Sequence, residues 1–371
     1  MQKKYTSLGL MSGTSGDGVD ASIISSDGLK EFEVIKDKYF EYDSNISKKI
    51  HSLKEKIFNL TDLKKINLDL KSLEREITLF HAKIVKELDK NHKANLIGFH
   101  GQTVYHNSKK KISKQLGDGG LLYQLTKRKI VYNFRAKDII NGGEGAPLTP
   151  IFHQLLANSK KINLPVCILN IGGISNITVI EGYTSHREIY SKDIGPGNCL
   201  IDAWVRNNSK KKFDKNGQLA DIGNVNEIIY EQAQDLYTNR IDKNKASYDT
   251  SDFDLSFARG LSLEDGAATI TNFTGSIIAN SLMKSEKKNS FNKVLICGGG
   301  RKNKILLNTI KKNISKKIEI ELIDNYQING DFVESQAFGY LAVRSFKKLP
   351  ITFPNTTNCK IPSLGGEIIG D

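Results

Sequence analysis

The sequence predicts an α/β protein of two similar domains, and three observations predict it. The chain has 371 residues, too many for one ordinary core. An apolar run, a glycine-rich turn and an alternating run follow one another at residues 8–24 (LGLMSGTSGDGVDASII) and again at 165–180 (PVCILNIGGISNITVI). This internal echo is too short to prove duplication, but it comes at the same stage of each half. Glycine-rich turns also stand at four predicted strand ends, at 13–18, 172–173, 195–197 and 298–300, where ligands of α/β folds collect.

Residues 1–40 read as strands around the first turn. Leu8, Leu10 and Met11 enter it, and Val19, Ala21, Ile23 and Ile24 leave it in alternation. Between them stand Ser12, Gly13, Thr14, Ser15, Gly16, Asp17 and Gly18. Glycines bring backbone N–H groups close to a ligand, and with Thr and Ser hydroxyls they form a concave anion site suited to phosphate. Asp17 and Asp20 add carboxylates of the kind Mg²⁺ takes, directly or through water. An ordinary glycine-rich hairpin is the other reading. The run is not G-x-x-x-x-G-K-[ST], because no Lys follows, and not a dinucleotide fingerprint, because a strand rather than a helix comes next. A phosphate turn inside a β-hairpin is how actin-like and sugar-kinase-like folds hold ATP. By that analogy, four such turns spaced through two similar halves predict a nucleotide cleft.

The remaining elements follow in order. Leu70, Leu73, Ile77, Phe80, Ile84 and Leu88 recur at helical spacing and close a helical region over 44–91. Residues 94–104 (ANLIGFHGQTV) predict a buried strand entering a glycine-containing turn, and 117–130 a turn and a helix. The glycine-rich stretch 132–150 places the interdomain crossing near it. In the second half, 189–204 (IYSKDIGPGNCLIDAW) reads as a strand end, a Gly-Pro-Gly turn and a helix start. Residues 262–282 predict a long helix, 293–309 a strand, three glycines and a helix, and 334–346 a late helix. The expected domains are 1–137 with the phosphate turn, 138–333 with the other glycine turns, and a tail, 334–371, that packs back on the first.

Composition excludes several classes. The hydrophobic fraction of 39% fits a globular protein, and no apolar run approaches the ~20 residues of a membrane span. The N-terminus has neither the apolar stretch nor the cleavage site of a secretory signal. Cys167, Cys199, Cys297 and Cys359 are far apart, which argues against zinc and against a disulfide framework. A reducing cytoplasm is the expected home. The net charge of +13 invites a nucleic-acid reading, yet only nine of the 54 basic residues are Arg and the lysines scatter without an aromatic cluster or known module. They predict a solvated surface and no nucleic-acid partner.

Several residues are candidates for chemistry. Asp193 sits at a predicted strand end before the 195–197 turn, with Asn198 at a helix start; it reads as a general base or as a helix-capping carboxylate. Glu334 opens the late helix and reads as an acid of the site or as a first-turn charge complementing the dipole. His100, in FHGQT, is a ligand contact or a satisfied turn histidine. The fork of Arg135 suits a carboxylate or a surface role. Gly172 and Gly173, with Gly298, Gly299 and Gly300, are candidate nucleotide contacts, the last three just before a helix, or sites of close strand–helix packing.

Taken together, GLMSGTSGDGVD, GFHGQTVYH, NFRAKDIINGGEGAPLTP, LNIGGISNIT, DIGPGNCLID, CGGGRKN and the ending near PSLGGEI resemble the anhydro-N-acetylmuramic acid kinase family, in order through nearly the whole chain. The resemblance implies a two-domain actin-like, sugar-kinase (ribonuclease H-like) ATPase fold with a central cleft, ATP and Mg²⁺, and 1,6-anhydro-N-acetylmuramic acid as substrate in cell-wall recycling. It implies a reaction that opens the anhydro ring with water and phosphorylates O6, and it suggests a homodimer. It makes Gly13, Thr14, Ser15, Gly16, Asp17, Gly18, Val19 and Asp20 the ATP phosphate loop, with Asp17 toward Mg²⁺. It makes Asp193 the base that activates the water, Glu334 the second acid, and Arg135 a residue near the sugar, with His100 and Asn198 as further substrate contacts. Gly16 replaces the Leu usual in this loop, which should make it more mobile, and Ile194 replaces the Thr usual after the catalytic Asp. The alternatives are a kinase of another sugar or acyl substrate on the same fold, and an actin- or chaperone-like ATPase switch.

Overall fold

The computed structural model describes residues 3–240 and 247–370. The chain opens with strands β1 (Tyr5–Ser12), β2 (Gly18–Ser26) and β3 (Phe32–Glu41), then helices α1 (Ser44–Lys54), α2 (Leu60–Lys65) and α3 (Asn67–His92). There follow β4 (Leu96–Asn107), β5 (Ile112–Leu116), α4 (Gly119–Thr126), β6 (Lys129–Tyr132), α5 (Ala136–Ile140) and α6 (Pro150–Ser159). The middle of the chain supplies β7 (Val166–Ile171), β8 (Ile174–Ile180), β9 (Ile189–Pro196), α7 (Cys199–Asn208), α8 (Gln218–Ile222), α9 (Glu227–Arg240), α10 (Leu263–Asn289), β10 (Lys293–Cys297), α11 (Lys304–Asn313) and β11 (Glu319–Leu322). The end supplies α12 (Val333–Phe346), α13 (Pro354–Thr357) and β12 (Glu367–Ile369).

These elements form two compact units. The first takes Met1–Ile162, Tyr183–Tyr190 and Asp331–Asp371; the second takes Asn163–Gly182 and Ser191–Gly330. The first unit's sheet runs β12-β6-β4-β1-β2-β3, with β5 beside the far end of β4. There β1 is antiparallel to β2 and parallel to β4, and β4 is parallel to β6. The second unit's sheet runs β11-β10-β7-β8-β9, with β7 antiparallel to β8 and parallel to β10. Each unit therefore carries the strand order 3-2-1-4-5 with strand 2 reversed, the ribonuclease H-like order, and each begins with a hairpin around a glycine turn. The fold class is the two-domain actin-like, sugar-kinase class.

Alternation along β1 builds the first unit in layers. Leu8 and Leu10 join the core with Ile46 and Ile50 of α1, Leu73, Ile77 and Ile84 of α3, and Leu122 of α4. Gly9 turns the other way, and a Cβ there would overlap Ser335 O of α12; one on Gly98 of β4 would overlap Phe338 O. Two strands thus let a helix backbone lie directly on the sheet. In the second unit α10 is the central helix. Ser262 caps it by accepting from Asp265 N–H, and its Ile270, Phe273 and Ile277 pack with Trp204 and Val205 of α7 and Leu219 of α8.

Three expectations differ from what is observed. Residues 138–162 and 183–190 lie in the first unit, whereas the sequence reading placed them in the second. Contacts distant in sequence decide this: Asp138 is bonded to Thr352 and Thr357, Gln154 donates to Ser185 O, and His186 stacks on Phe353. Gly101 makes no turn; it lies inside β4 at φ +75°, where the register against β1 slips. The long helix α10 continues seven residues past the expected end, through a lysine-rich surface turn.

Candidate active site

The phosphate turn is anchored from below. Ser12, the last residue of β1, is fully buried, with its Oγ 3.0 Å from Tyr42 OH and 3.0 Å from His81 Nε2. His81 Nδ1 lies 2.8 Å from Ile77 O. A carbonyl only accepts, so Nδ1 carries the proton and Nε2 accepts from Ser12. Burial lowers the His81 pKa to about 4, which keeps the ring neutral. The remaining direction follows: Tyr42 donates to Ser12, and Ser12 to His81.

Above this chain, three of the turn's carbonyl oxygens are occupied by protein donors. Gln102 Nε2 donates to Gly13 O at 2.9 Å, Lys54 Nζ to Thr14 O at 3.0 Å, and Tyr42 N–H to Asp17 O at 2.9 Å. Groups that would repel a phosphate are thus engaged elsewhere. Gly16 donates its N–H to Gly13 O and sits at φ +67°, a conformation in which a side chain would be strained. Val19 is buried in the core, and Asp20 stands opposite Met11. Desolvation first, then the fields of Asp17 and Asp20, raise the pKa of Tyr39. Two hard oxygen donors suit Mg²⁺ completed by phosphate and water. Among the described residues, no group of three or more His, Cys, Asp or Glu side chains is arranged to hold a metal.

His100, Arg135 and Glu334 come together in the first unit. His100 is buried; its Nδ1 donates to Gly101 O at 2.7 Å and its Nε2 accepts from Arg135 Nη2 at 2.9 Å. Desolvation, then the Arg135 charge, holds its pKa well below the usual value. His100 is thus a neutral acceptor that aims the guanidinium, with both ring nitrogens engaged by protein groups. Arg135 Nη1 donates to Gly145 O at 2.6 Å. Glu334, in the first turn of α12, has its carboxyl pKa raised by desolvation, with the Arg135 charge pulling it back down. The guanidinium suits a carboxylate, and the Glu334 carboxyl suits a hydroxyl group.

The second unit gathers the other glycine turns. Gly197 and Asn198 donate their N–H groups to Gly173 O and Gly172 O, at 2.9 and 2.8 Å. Asn198 opens α7 without capping it by its side chain, and its Oδ1 lies 3.1 Å from where a Cβ on Gly300 would stand. Gly298 O accepts from Arg301 Nη1, and Arg301 grips Asp324 with two N–H groups at 2.7 and 2.9 Å. The turns at 172–173 and 298–300 are therefore neighbours, with Asn198 beside both, while Gly195 and Pro196, expected in a turn, end β9. Asp193 lies within β9, buried, and accepts from Tyr248 N–H at 2.8 Å. It caps no helix; α7 begins six residues later. Ile194, beside it, is buried, and its carbonyl accepts from Ser281 Oγ.

Sequence reasoning missed the supports. Ser12, Tyr42 and His81 meet across 30 or more residues, Gln102 reaches Gly13 across 89, and Asp138 reaches Thr352 and Thr357 across more than 200. Ser12, Gln102 and Asp138 carried a signal, as members of the quoted motifs GLMSGTSGDGVD, GFHGQT and NFRAKD; Tyr42 and His81 carried none.

Comparison with known proteins gives a consistent match. A family model described as anhydro-N-acetylmuramic acid kinase matches residues 5–370. The anhydro-N-acetylmuramic acid kinase of Pelagibacter ubique (strain HTCC1062) is 53% identical over 373 residues, covering 100% of this chain and 99% of that protein. Those of Zymomonas mobilis and Agrobacterium fabrum are each 35% identical, covering 97% and 100% of this chain and 98% and 100% of their own lengths.

Proposed function

The chain belongs to the anhydro-N-acetylmuramic acid kinase family, and on that premise we propose that it hydrolytically opens 1,6-anhydro-N-acetylmuramic acid and phosphorylates O6, giving N-acetylmuramic acid 6-phosphate and ADP in cell-wall recycling. ATP is the phosphoryl donor. The observation that carries the reading is the pairing of a clamped phosphate turn with a polarised His100–Arg135–Glu334 group, in a chain matched to that family from end to end.

The chemistry needs two linked events. Water attacks the anomeric carbon while the bond from that carbon to O6 breaks. The released electron pair makes O6 the nucleophile at the γ-phosphorus, and the bond to the β-bridging oxygen breaks to free ADP. Asp193 takes the water's proton and later passes it to solvent. Tyr248 N–H donates to its Oδ2 and fixes the carboxylate. Glu334 and Arg135 hold the sugar, with His100 orienting the guanidinium. The backbone of Gly13 to Gly18 with Thr14 and Ser15 cradles the phosphates; Gly172, Gly173, Gly298, Gly299 and Gly300 contact the rest of the nucleotide, and Asn198 contacts the sugar. Asp17, with Asp20 beside it, would hold Mg²⁺, which neutralises phosphate charge when bound. Phosphoryl transfer depends mainly on such positioning, which suits a site built of braced turns.

Among the described residues, no helix is long and apolar enough to cross a membrane. We place the protein in the cytoplasm as a homodimer, which sedimentation would test. A coupled ADP-release assay across sugars, with and without the anhydro ring, tests the substrate. Turnover with the anhydro sugar alone supports this reading. Equal turnover with an ordinary hexose makes it a general sugar kinase, and sugar-independent ATP hydrolysis makes it a switch.

A further inference from the structure

We propose that Asp138 is the positioning residue of the Arg135 guanidinium, and that the C-terminal segment sets that position through Thr352 and Thr357. The proposal rests on the reading of Arg135 as a sugar contact.

Asp138 is fully buried three residues after Arg135, on the short helix α5. Its Oδ1 accepts from Thr352 Oγ1 at 2.5 Å and Thr357 Oγ1 at 2.6 Å, and its Oδ2 accepts from Gly145 N–H at 2.7 Å. Short bonds to an ionised acceptor are the strong kind. Gly145 is thereby held on both sides, since its carbonyl accepts from Arg135 Nη1 at 2.6 Å. One line of contacts runs from the C-terminal threonines through Asp138 and Gly145 to Arg135, then to His100 and the Gly101 carbonyl.

The loop's sequence is made for this carboxylate. A Cβ on Gly143 would overlap Asp138 Oδ2, and Gly145 sits at φ +76°, so the glycines of NGGEG let the backbone wrap the acid. Further ties hold the same loop: Glu144 N–H donates to Thr357 O, and Asn358 Nδ2 to Glu144 Oε1. Without the carboxylate, Gly145 would keep its bond to Arg135 while its own place was no longer fixed, and the guanidinium would lose its aim.

The test is steady-state kinetics with each substrate varied, beside thermal melting. Asp138→Ala should raise KM for the anhydro sugar at least tenfold and leave the ATP dissociation constant within twofold. Asp138→Asn should restore the sugar KM to within about threefold of wild type. Its amide oxygen can still accept from Gly145 N–H while its NH₂ meets threonine hydroxyls that rotate to accept. Should Asp138→Ala fail to fold, the Thr352→Val/Thr357→Val pair decides, with a rise of threefold or more in sugar KM expected. Equal loss for both substrates, or a lowered melting temperature with unchanged KM, overturns the proposal by making Asp138 merely structural. Arg135→Gln separates the underlying reading. If it leaves sugar KM unchanged, the sugar-contact reading and this proposal both fall. If it raises sugar KM while the Asp138 and threonine variants do not, only this proposal falls.

Discussion

Replacing Ser12 by alanine removes the one oxygen that joins Tyr42 to His81 beneath the phosphate turn. Both partners are buried, so neither gains water in exchange. A buried polar group left without a partner costs about 1–3 kcal/mol. Two such groups, the Tyr42 hydroxyl and His81 Nε2, put the expected loss at about 2–6 kcal/mol. A double-mutant cycle isolates the cause. In a Tyr42→Phe background one of the two orphans no longer exists, so Ser12→Ala should cost about 1–3 kcal/mol less there. Urea unfolding, followed by a probe in the first unit, measures all four corners of the cycle. Because Gly13 follows directly, ATP affinity should fall several-fold in Ser12→Ala. Equal cost of Ser12→Ala in both backgrounds, or a loss below about 0.5 kcal/mol, the scale of an ordinary surface change, would refute the hydrogen-bond chain as the brace of the turn.

Three further outcomes are expected. Asp193→Asn should lower turnover by at least about two powers of ten, because an amide cannot take the water's proton, while ATP affinity measured by calorimetry stays near wild type; retention of more than about a tenth of the rate would remove Asp193 as the base. Gly13→Val should weaken ATP binding without loss of stability, since a Cβ there meets only Ser15 Oγ at 3.8 Å; Gly18→Val is the contrasting control, expected to destabilise because its Cβ would overlap Phe40 O. Stability should fall on acidification. His81 and His153, with pKa values lowered to about 4 and about 3, and His100, lowered further than an ordinary histidine, are neutral when folded and take up protons on unfolding. Their contribution is complete above pH ~6.5 and is lost as pH falls through the folded values, at up to ~1.4 kcal/mol per pH unit for each ring. His81→Gln should reduce that slope by about one proton, and an unchanged slope would count against a neutral His81.

The parts legible in the sequence were those governed by local chemistry. The hairpin at 8–24 shows its alternation and its turn residues, and α3 shows its apolar stripe from Leu70 to Leu88, so both stand where periodicity puts them. The repeated strand–turn–strand pattern foretold two similar halves, and each carries a sheet of the same strand order. β5 and β12 were missed because they are short strands added beside longer ones, with no buried face long enough to set a period. The unit boundary was misplaced because Asp138 belongs with Thr352 and Thr357 more than 200 residues away. In the same way His100 is readable as a residue but not as a partner of Arg135, whose fork reaches it across 35 positions.

The most direct measurement is the product formed from 1,6-anhydro-N-acetylmuramic acid, ATP and Mg²⁺ in ¹⁸O-water, read by mass spectrometry within the reaction time. Preformed product in the same water serves as the control for exchange at the anomeric carbon. The expected result is one ¹⁸O at that carbon, an unlabelled phosphoryl group on O6, and ADP equal to sugar consumed. Label in inorganic phosphate, or ADP formed with the anhydro ring left intact, would contradict ring opening coupled to phosphoryl transfer.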